Sequence, residues 1–293
     1  MGLAVQLLMN ALQISSVYVL FALGVTVIFG VMRMVNFAHG EFFSLAGLTV
    51  AVLSPPIAAA TGMPPALAYL TAFLAAFVVV LALALAVFHL ALERFLEDDV
   101  AALTASLGLS LALQGIYVKI FGSDFHGLQP FIPGTLRIAG GAIAYQVLAI
   151  SLAAILSTCG LLALTKFTRL GKALRAVSED REAAMLQGIR QRRISAAGFL
   201  LGAALAALAG GFIAPMTVLQ PAVGGDFMLK AFIIIVLGGL GSIPGTILGG
   251  CLVGIVESLA GYYFDLVTAS IILFLFVIAM LLFRPRGLWA HAG

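Results

Sequence analysis

The chain alternates between long stretches without a charged side chain and short segments where charges collect. Asp, Glu, Lys and Arg are absent from Met1 to Met32, from Phe42 to Leu92, from Ile138 to Thr165 and from Ile194 to Gly225. Each stretch exceeds the roughly 20 apolar residues that cross a bilayer, and the second is long enough for two crossings. Hydrocarbon offers backbone groups no water, so such stretches must be helices. The pattern predicts spans at about 12–32, 37–53, 66–92, 100–118, 143–165, 195–215, 231–259 and 265–283. The expected fold is an all-α polytopic membrane protein of about 8–9 transmembrane segments, with 1–293 as a single transmembrane domain.

Punctuation within and between the spans refines this. Pro55, Pro56, Gly62, Pro64 and Pro65 mark a loop after the second span, and 121–137 is a longer connection. In 231–259, Gly238, Gly239, Gly241 and Gly245 crowd around Ser242 and Pro244, a composition that favours a broken helix. Gly241, Gly245 and Gly249 recur every fourth residue, as do Gly198 and Gly202, which suits close helix packing. The broken segment equally fits the lining of a solute pathway.

Charge orients these spans. Charged residues are 9% of the chain, against about 25% in soluble domains. The net charge of +3 does not signal nucleic acid, because the basic residues gather at the ends of apolar runs. Eight of the fifteen Lys and Arg lie between Lys166 and Arg193, with three of the twelve acids, so the loop at about 166–194 is expected on the cytoplasmic side. Counting back puts the N-terminus outside, while Arg284 and Arg286 argue for a cytoplasmic C-terminus. That needs an odd number of crossings. Two helical halves in 231–259 that enter and return on one side restore the parity.

Inside the charged loop, Ser178, Glu179, Asp180 and Glu182 predict a helix start, and Gly188 a stop. The helix between them, with Ala183, Ala184, Met185 and Leu186, is about nine residues long and too short to persist alone in water. It is either part of a solvated loop or a docking element for a soluble partner. Cys159 and Cys251 fall in apolar segments and are expected to pack as small hydrophobes.

Polar residues within spans are the candidate chemistry. Asn36, His39 and Glu41, with Gly40 between them, are expected at a bend at the cytoplasmic end of the first span, as structural ties or as a gate or substrate contact. His89 and Gln114 suit interhelical hydrogen bonds; Glu257 suits an interface; Asn10, Gln13, Ser15 and Ser16 suit an outer path or a wet helix end. No phosphate loop, metal-ligand spacing or nucleophile beside a base occurs, so no enzyme is expected. A lone secondary transporter or channel would need mid-span carboxylates for a coupling ion. An intramembrane enzyme would need a catalytic pair, which Asp226 and Asp265 at span ends do not supply. A scaffold would need neither a broken helix nor a docking helix.

The segment EAAMLQG at 182–188 resembles the Glu-Ala-Ala…Gly core of the coupling loop in permease subunits of ABC importers, without the Ile and Leu-Pro that complete it in many of them. MVNFAHGEFFSLAG at 34–47, RLGKALRAVSEDREAAMLQGI at 169–189, KAFIIIVLGGLGSIPGTILGG at 230–250 and LLFRPRGL at 281–288 are similar to the branched-chain amino acid permeases of the LivH type, in that family's order. One departure is ERFLEDDVAAL at 93–103, acidic where family members often carry a basic stretch.

The resemblance implies a non-catalytic subunit of an ATP-driven importer in a prokaryotic plasma (inner) membrane. Its partners would be a second, LivM-like permease, two cytoplasmic ATPases and an extracytoplasmic solute-binding protein. ATP and Mg would sit on the ATPases, with no cofactor on this chain. The solutes would be Leu, Ile and Val, or alternatively urea, short amides or other small organic solutes. Arg175, Ser178, Glu179, Asp180, Glu182, Ala183, Ala184 and Gly188 would form the ATPase-coupling loop. Asn36, His39, Glu41, Gly238, Gly239, Gly241 and Gly245 would serve the pathway or its gating.

Overall fold

The computed structural model describes residues 2–96, 98–264 and 266–283; Asp265, Arg284 and Arg286 lie outside them, as do Glu97 and the end of the 281–288 motif. The order is α1 (Gly2–Met32), α2 (His39–Thr61), α3 (Pro65–Val87), α4 (Asp99–Phe121), a hairpin of β1 (Thr135–Ile138) and β2 (Gly141–Ala144), α5 (Tyr145–Phe167), α6 (Arg169–Glu179), α7 (Arg181–Leu186), α8 (Gln191–Ile213), α9 (Val223–Gly238), α10 (Ile243–Tyr263) and α11 (Leu266–Phe283). Among the described residues seven helices are long and apolar enough to cross a membrane: α1, α2, α3 with its continuation to Phe95, α4, α5, α8 and α10. The α9 helix has 16 residues, and the apolar part of α11, Val267–Met280, is also shorter than a full span.

Side-chain size decides which way each span faces. α3 is apolar all round, yet its buried positions are Ala68, Ala72, Ala76, Val80, Ala84 and Val87, while Leu70, Leu74, Val78 and Leu85 point outward. Small residues every fourth position let the α3 backbone approach α2 and α8, and the bulky residues are left for lipid. This inverts the soluble pattern, because lipid is as apolar as leucine.

α1 is the hub. Every residue from Ser15 to Ile28 is buried, since α8, α9, α10, α5 and α2 surround it. Its closest neighbours meet it at glycines. A Cβ on Gly202 of α8 would lie 2.8 Å from the Gly24 carbonyl oxygen, and Ser15 Oγ donates to the Cys251 carbonyl of α10 at 3.4 Å. The α10 helix runs antiparallel to α1, with Thr246 bonded to Thr26 at 2.6 Å and Ser258 to the Leu7 carbonyl at 2.9 Å.

One end of the bundle is basic. Arg33 donates to the Glu179 carbonyl at 3.4 Å, and Gly30 lies against Ser178 and Gly241. The C-terminal end of α1, the loop α6–α7 and the α9–α10 turn therefore share this end, with Arg94, Arg181 and Arg192 beside them. At the opposite end, Gln6 accepts from the Ala142 backbone of the hairpin at 2.8 Å. The asymmetry assigns the loop end to the cytoplasm and the hairpin end to the outside.

Three expectations are corrected and one, the connection at 121–137, gains detail. α2 continues through Pro55 and Pro56 to Thr61 and closes on Gly62 in the left-handed region, so the expected loop shrinks to 62–64. Residues 121–137 run into a β-hairpin whose turn, Ala139 and Gly140, has two positive φ angles, as a two-residue hairpin turn requires. Gly241 is not on a helix face; it lies in the α9–α10 turn at φ 79°, leaving Gly245 and Gly249 facing Gly238 and Ile234 of α9. Cys159 and Cys251 are exposed on the outer faces of their helices.

The broken segment does consist of two helices that meet in a hairpin, but only α9 is short, and α10 is a full span. Ser242 caps α10 by accepting from the Gly245 N–H at 3.2 Å, with Ile243 and Pro244 in its first turn.

Candidate functional site

Two helices start inside the protein. After Met32 the chain turns back along α1, with Met34, Asn36 and Ala38 buried, and α2 begins at His39. The His39 ring lies against Phe21, 4.8 Å between centroids, and over Gly24. Gly24 is eight residues before Met32, or about 12 Å along the helix. Asn36, His39 and Glu41 are therefore not at the cytoplasmic end of the first span, as expected, but well inside. Asn36 accepts from the Ala38 N–H at 3.2 Å, and Ser106 of α4 accepts from the Phe37 N–H at 3.2 Å. Glu41 accepts from Ser110 at 2.9 Å, and the Tyr117 hydroxyl of the same α4 face is buried too. His39 and Glu41 thus face different helices, α1 and α4.

α9 also begins inside. The chain leaves the outer end of α8 and re-enters through Leu219, whose backbone pairs with His126 of the outer connection. The Gly224 N–H donates to Ser44 of α2 at 2.8 Å. Gly40 and Gly224 touch backbone to backbone, and a Cβ on either would overlap the other's carbonyl. Glycine is required at both for the two interior helix starts to meet.

From there α9 crosses α1 and ends against α10. Phe227 stacks on Phe43 at 4.3 Å and meets Tyr18 edge-on at 5.4 Å. One turn later Lys230 donates to the Tyr18 hydroxyl at 2.6 Å and to Glu257 at 2.7 Å, while Tyr18 donates to the same Glu257 oxygen at 2.9 Å. Tyr18 is mid-helix, about 24 Å from Gly2 and about 21 Å from Met32. A lone lysine or acid at such depth costs about 2.5–3.5 kcal/mol on insertion scales, and pairing offsets part of that. The sequence reading missed Tyr18 and Lys230 and sent Glu257 to an interface. A signal existed: Lys230 is the one basic residue between Arg193 and Arg284.

The cytoplasmic loop is built differently. Thr168 caps α6 by accepting from Gly171 N–H at 3.0 Å, and α6 packs Leu174 and Val177 against Val31. Ser178 is thus inside α6, and its hydroxyl donates back to the Arg175 carbonyl; it does not start the next helix. That role belongs to Asp180, which accepts from Ala183 N–H at 3.0 Å. The α7 helix spans only six residues and stops before Gly188, at φ 81°. Ala184 is buried among Val31, Leu174 and Val177, whereas Arg175, Glu179, Glu182 and Ala183 are exposed. Leu186 is 88% exposed and Met185 44%.

Arg181, which the sequence did not single out, holds α7 to the bundle. It donates to the Val31 and Met32 carbonyls at 3.3 Å and to the Leu96 carbonyl at 3.2 Å. Val31 and Met32 hold the last carbonyls of α1, just before the chain turns in toward Asn36. Nearby, Glu93 pairs with both His89 and Arg192; the His89 bond is within one helix end, not interhelical as expected. Gln114 lines a shallow groove with Gln220 and Ser123 on the outer side. Ser16 bonds within α1 to the Gln13 carbonyl. Among the described residues no cluster of His, Cys, Asp and Glu could hold a metal ion.

Comparison with known proteins places this geometry in context. A family model described as the permease component of branched-chain amino acid transport systems matches residues 7–283. The high-affinity branched-chain amino acid transport system permease protein BraD of Pseudomonas aeruginosa is 33% identical, over 97% of this chain and 94% of its own. LivH of Escherichia coli is 30% identical over the same shares. A probable LivH of Methanocaldococcus jannaschii is 29% identical over 96% and 91%.

Proposed function

The chain belongs to the family of permease components of branched-chain amino acid transport systems, and from that premise we propose that it is a membrane-spanning, non-catalytic subunit of an ABC importer for Leu, Ile and Val in a prokaryotic inner membrane. Its relatives' names support the solute class. A second LivM-like permease, two cytoplasmic ATPases carrying ATP and Mg, and an extracytoplasmic solute-binding protein complete the complex.

The observation that carries this reading is the form of α7. It is a six-residue helix, capped by Asp180 and braced through Ala184 and Arg181, that thrusts Leu186 and Met185 into water. A helix so short is held by its bracing, and apolar side chains so exposed beside charges suit a protein partner. Glu179, Asp180, Glu182, Ala183 and Gly188 shape the surface offered to an ATPase, with Arg175 flanking it. Movement of that partner would reach α1 through Arg181 and the α2 start through the turn at 33–38. Gly238, Gly239, Gly241 and Gly245 would let the α9–α10 hairpin shift against α1, in the two-state manner of alternating access. Asn36, His39 and Glu41 would then sit at the gate below the aromatic cluster.

The test is purification of the chain from its native membrane in mild detergent, followed by reconstitution of what remains bound. Co-purification of a second permease and ATPase subunits, with leucine uptake that requires internal ATP, is the expected result. A chain recovered alone that moves leucine without ATP would overturn it.

A further inference from the structure

Lys230, Glu257 and Tyr18 form a charged cluster halfway along α1 that packing alone does not require. Outward of it, positions on three helices are only partly buried or exposed. On α1, Asn10 and Ile14 stand two turns and one turn outward of Tyr18 on the same face, both half-buried. Asp226, exposed, lies one turn before Lys230, and Gly261, exposed, one turn after Glu257. Beneath, Phe227, Phe43 and Phe21 close the way toward His39. The Lys230 and Glu257 side chains keep 23% and 17% of their surface open.

Their bonding leaves capacity of both signs. A lysine ammonium has three N–H donors, and Lys230 directs two at Tyr18 and Glu257. Glu257 uses one oxygen for both partners, and its Oε2 is buried without a hydrogen bond among the described residues. The terminal torsion of a glutamate is soft, so a small rotation brings that oxygen to a ligand. We propose that Lys230 and Glu257, oriented by Tyr18, form a transient binding site for an amino-acid zwitterion, Lys230 taking the α-carboxylate and Glu257 the α-ammonium. A fixed pair of opposite charges replaces the hydration of both ends of a zwitterion without leaving net charge in the membrane. The interior start of α9 brings Lys230 alongside Tyr18, and Glu257 meets them from α10, six residues before that helix ends at Tyr263. The proposal rests on the reading of the chain as an amino-acid permease and gives that permease a specific contact.

The experiment uses the complete importer in proteoliposomes with ATP inside, measuring leucine uptake and ATP hydrolysis in the same vesicles. Uptake by the wild-type complex tests the permease reading; without it, that reading fails before the site is addressed. Given uptake, Lys230→Met and Glu257→Gln are each expected to lower it at least tenfold, through the apparent KM for loaded binding protein or through kcat, while ATP hydrolysis stays within twofold. Lys230→Arg is expected to keep at least a third of the uptake. Should Lys230→Met not fold, Lys230→Cys in a Cys159→Ala, Cys251→Ala background, assembled in the complex, replaces it. A membrane-impermeant cationic thiol reagent added outside should modify that cysteine, and saturating leucine-loaded binding protein should slow the modification at least threefold. Wild-type uptake in both neutral variants, a parallel fall of hydrolysis and uptake, or no reaction of the cysteine would overturn the proposal.

Discussion

The cytoplasmic loop and the membrane interior of this chain use charge in opposite ways. In the loop, eight basic residues stand along a short, solvated segment, and few of them are tied down. Arg181 is an exception, committed to three backbone carbonyls. In the interior, the charges are few and each has a defined contact: Lys230 with Glu257 and Tyr18, Glu41 with Ser110. Exposed charge is cheap and mainly sets orientation. Interior charge is costly, so where it persists it points to the path. Under the proposed function the loop would receive force and the interior would meet solute, with Arg181 joining the two through the Val31 and Met32 carbonyls at the end of α1.

The comparison can be broken most drastically at the meeting of the interior helix starts. Gly40→Leu would drive a side chain into the Gly224 carbonyl, beyond the 1–3 kcal/mol typical of overpacking. Size-exclusion chromatography should then recover little or no monodisperse complex. Leu186→Asp comes next: the chain should fold and insert normally, because the side chain is 88% exposed, while leucine uptake falls on the order of tenfold or more, the loss of one hot-spot contact. Ala184→Asp sharpens the contrast within the same helix. Its side chain is buried against Val31 and Leu174, so an added charge should loosen the loop itself, read as faster proteolysis between Arg181 and Arg190. Arg181→Gln should lower uptake about threefold to tenfold with ATP hydrolysis retained, since it removes charge-assisted bonds of about 1.5–3 kcal/mol that link two otherwise intact parts. Glu182→Lys, on the solvated rim, should cost the least, about twofold to threefold in uptake, with an effect that shrinks as salt is raised.

Much of the architecture was legible because bilayer crossing imposes a length and a polarity on each helix. The spans of α1, α2, α3, α4, α5 and α8 and the basic loop follow from that constraint, while the break before α10 follows from its glycines. The extent of α2 did not, because Pro55 and Pro56 disfavour a helix locally, yet α2 runs through both to Thr61. Nor was α6 singled out, although Leu170, Leu174 and Val177 recur at i, i+4 and i+7 as one apolar stripe amid charges. The helix boundary at Asp180 was shifted two residues because Ser178 and Asp180 are both good caps, and only packing chooses between them.

The interior site was half legible. Asn36, His39 and Glu41 stand out as polar residues in an apolar run, yet their depth depends on the chain turning back along α1, which no local pattern encodes. Tyr18, Lys230 and Glu257 are separated by 212 and 27 residues along the chain. Their proximity arises from two helix starts inside the bundle, held together by Gly40 and Gly224. A lone Lys230 in an otherwise uncharged span was the available clue.

In the proposed coupling, Leu186 at the tip of α7 touches an ATPase. A photo-reactive amino acid at position 186, activated in native membranes, tests it most directly. A single major adduct containing an ATPase subunit is expected, with a yield that changes when ATP is added. Adducts to lipid or to no protein at all, in membranes that still take up leucine, would contradict it.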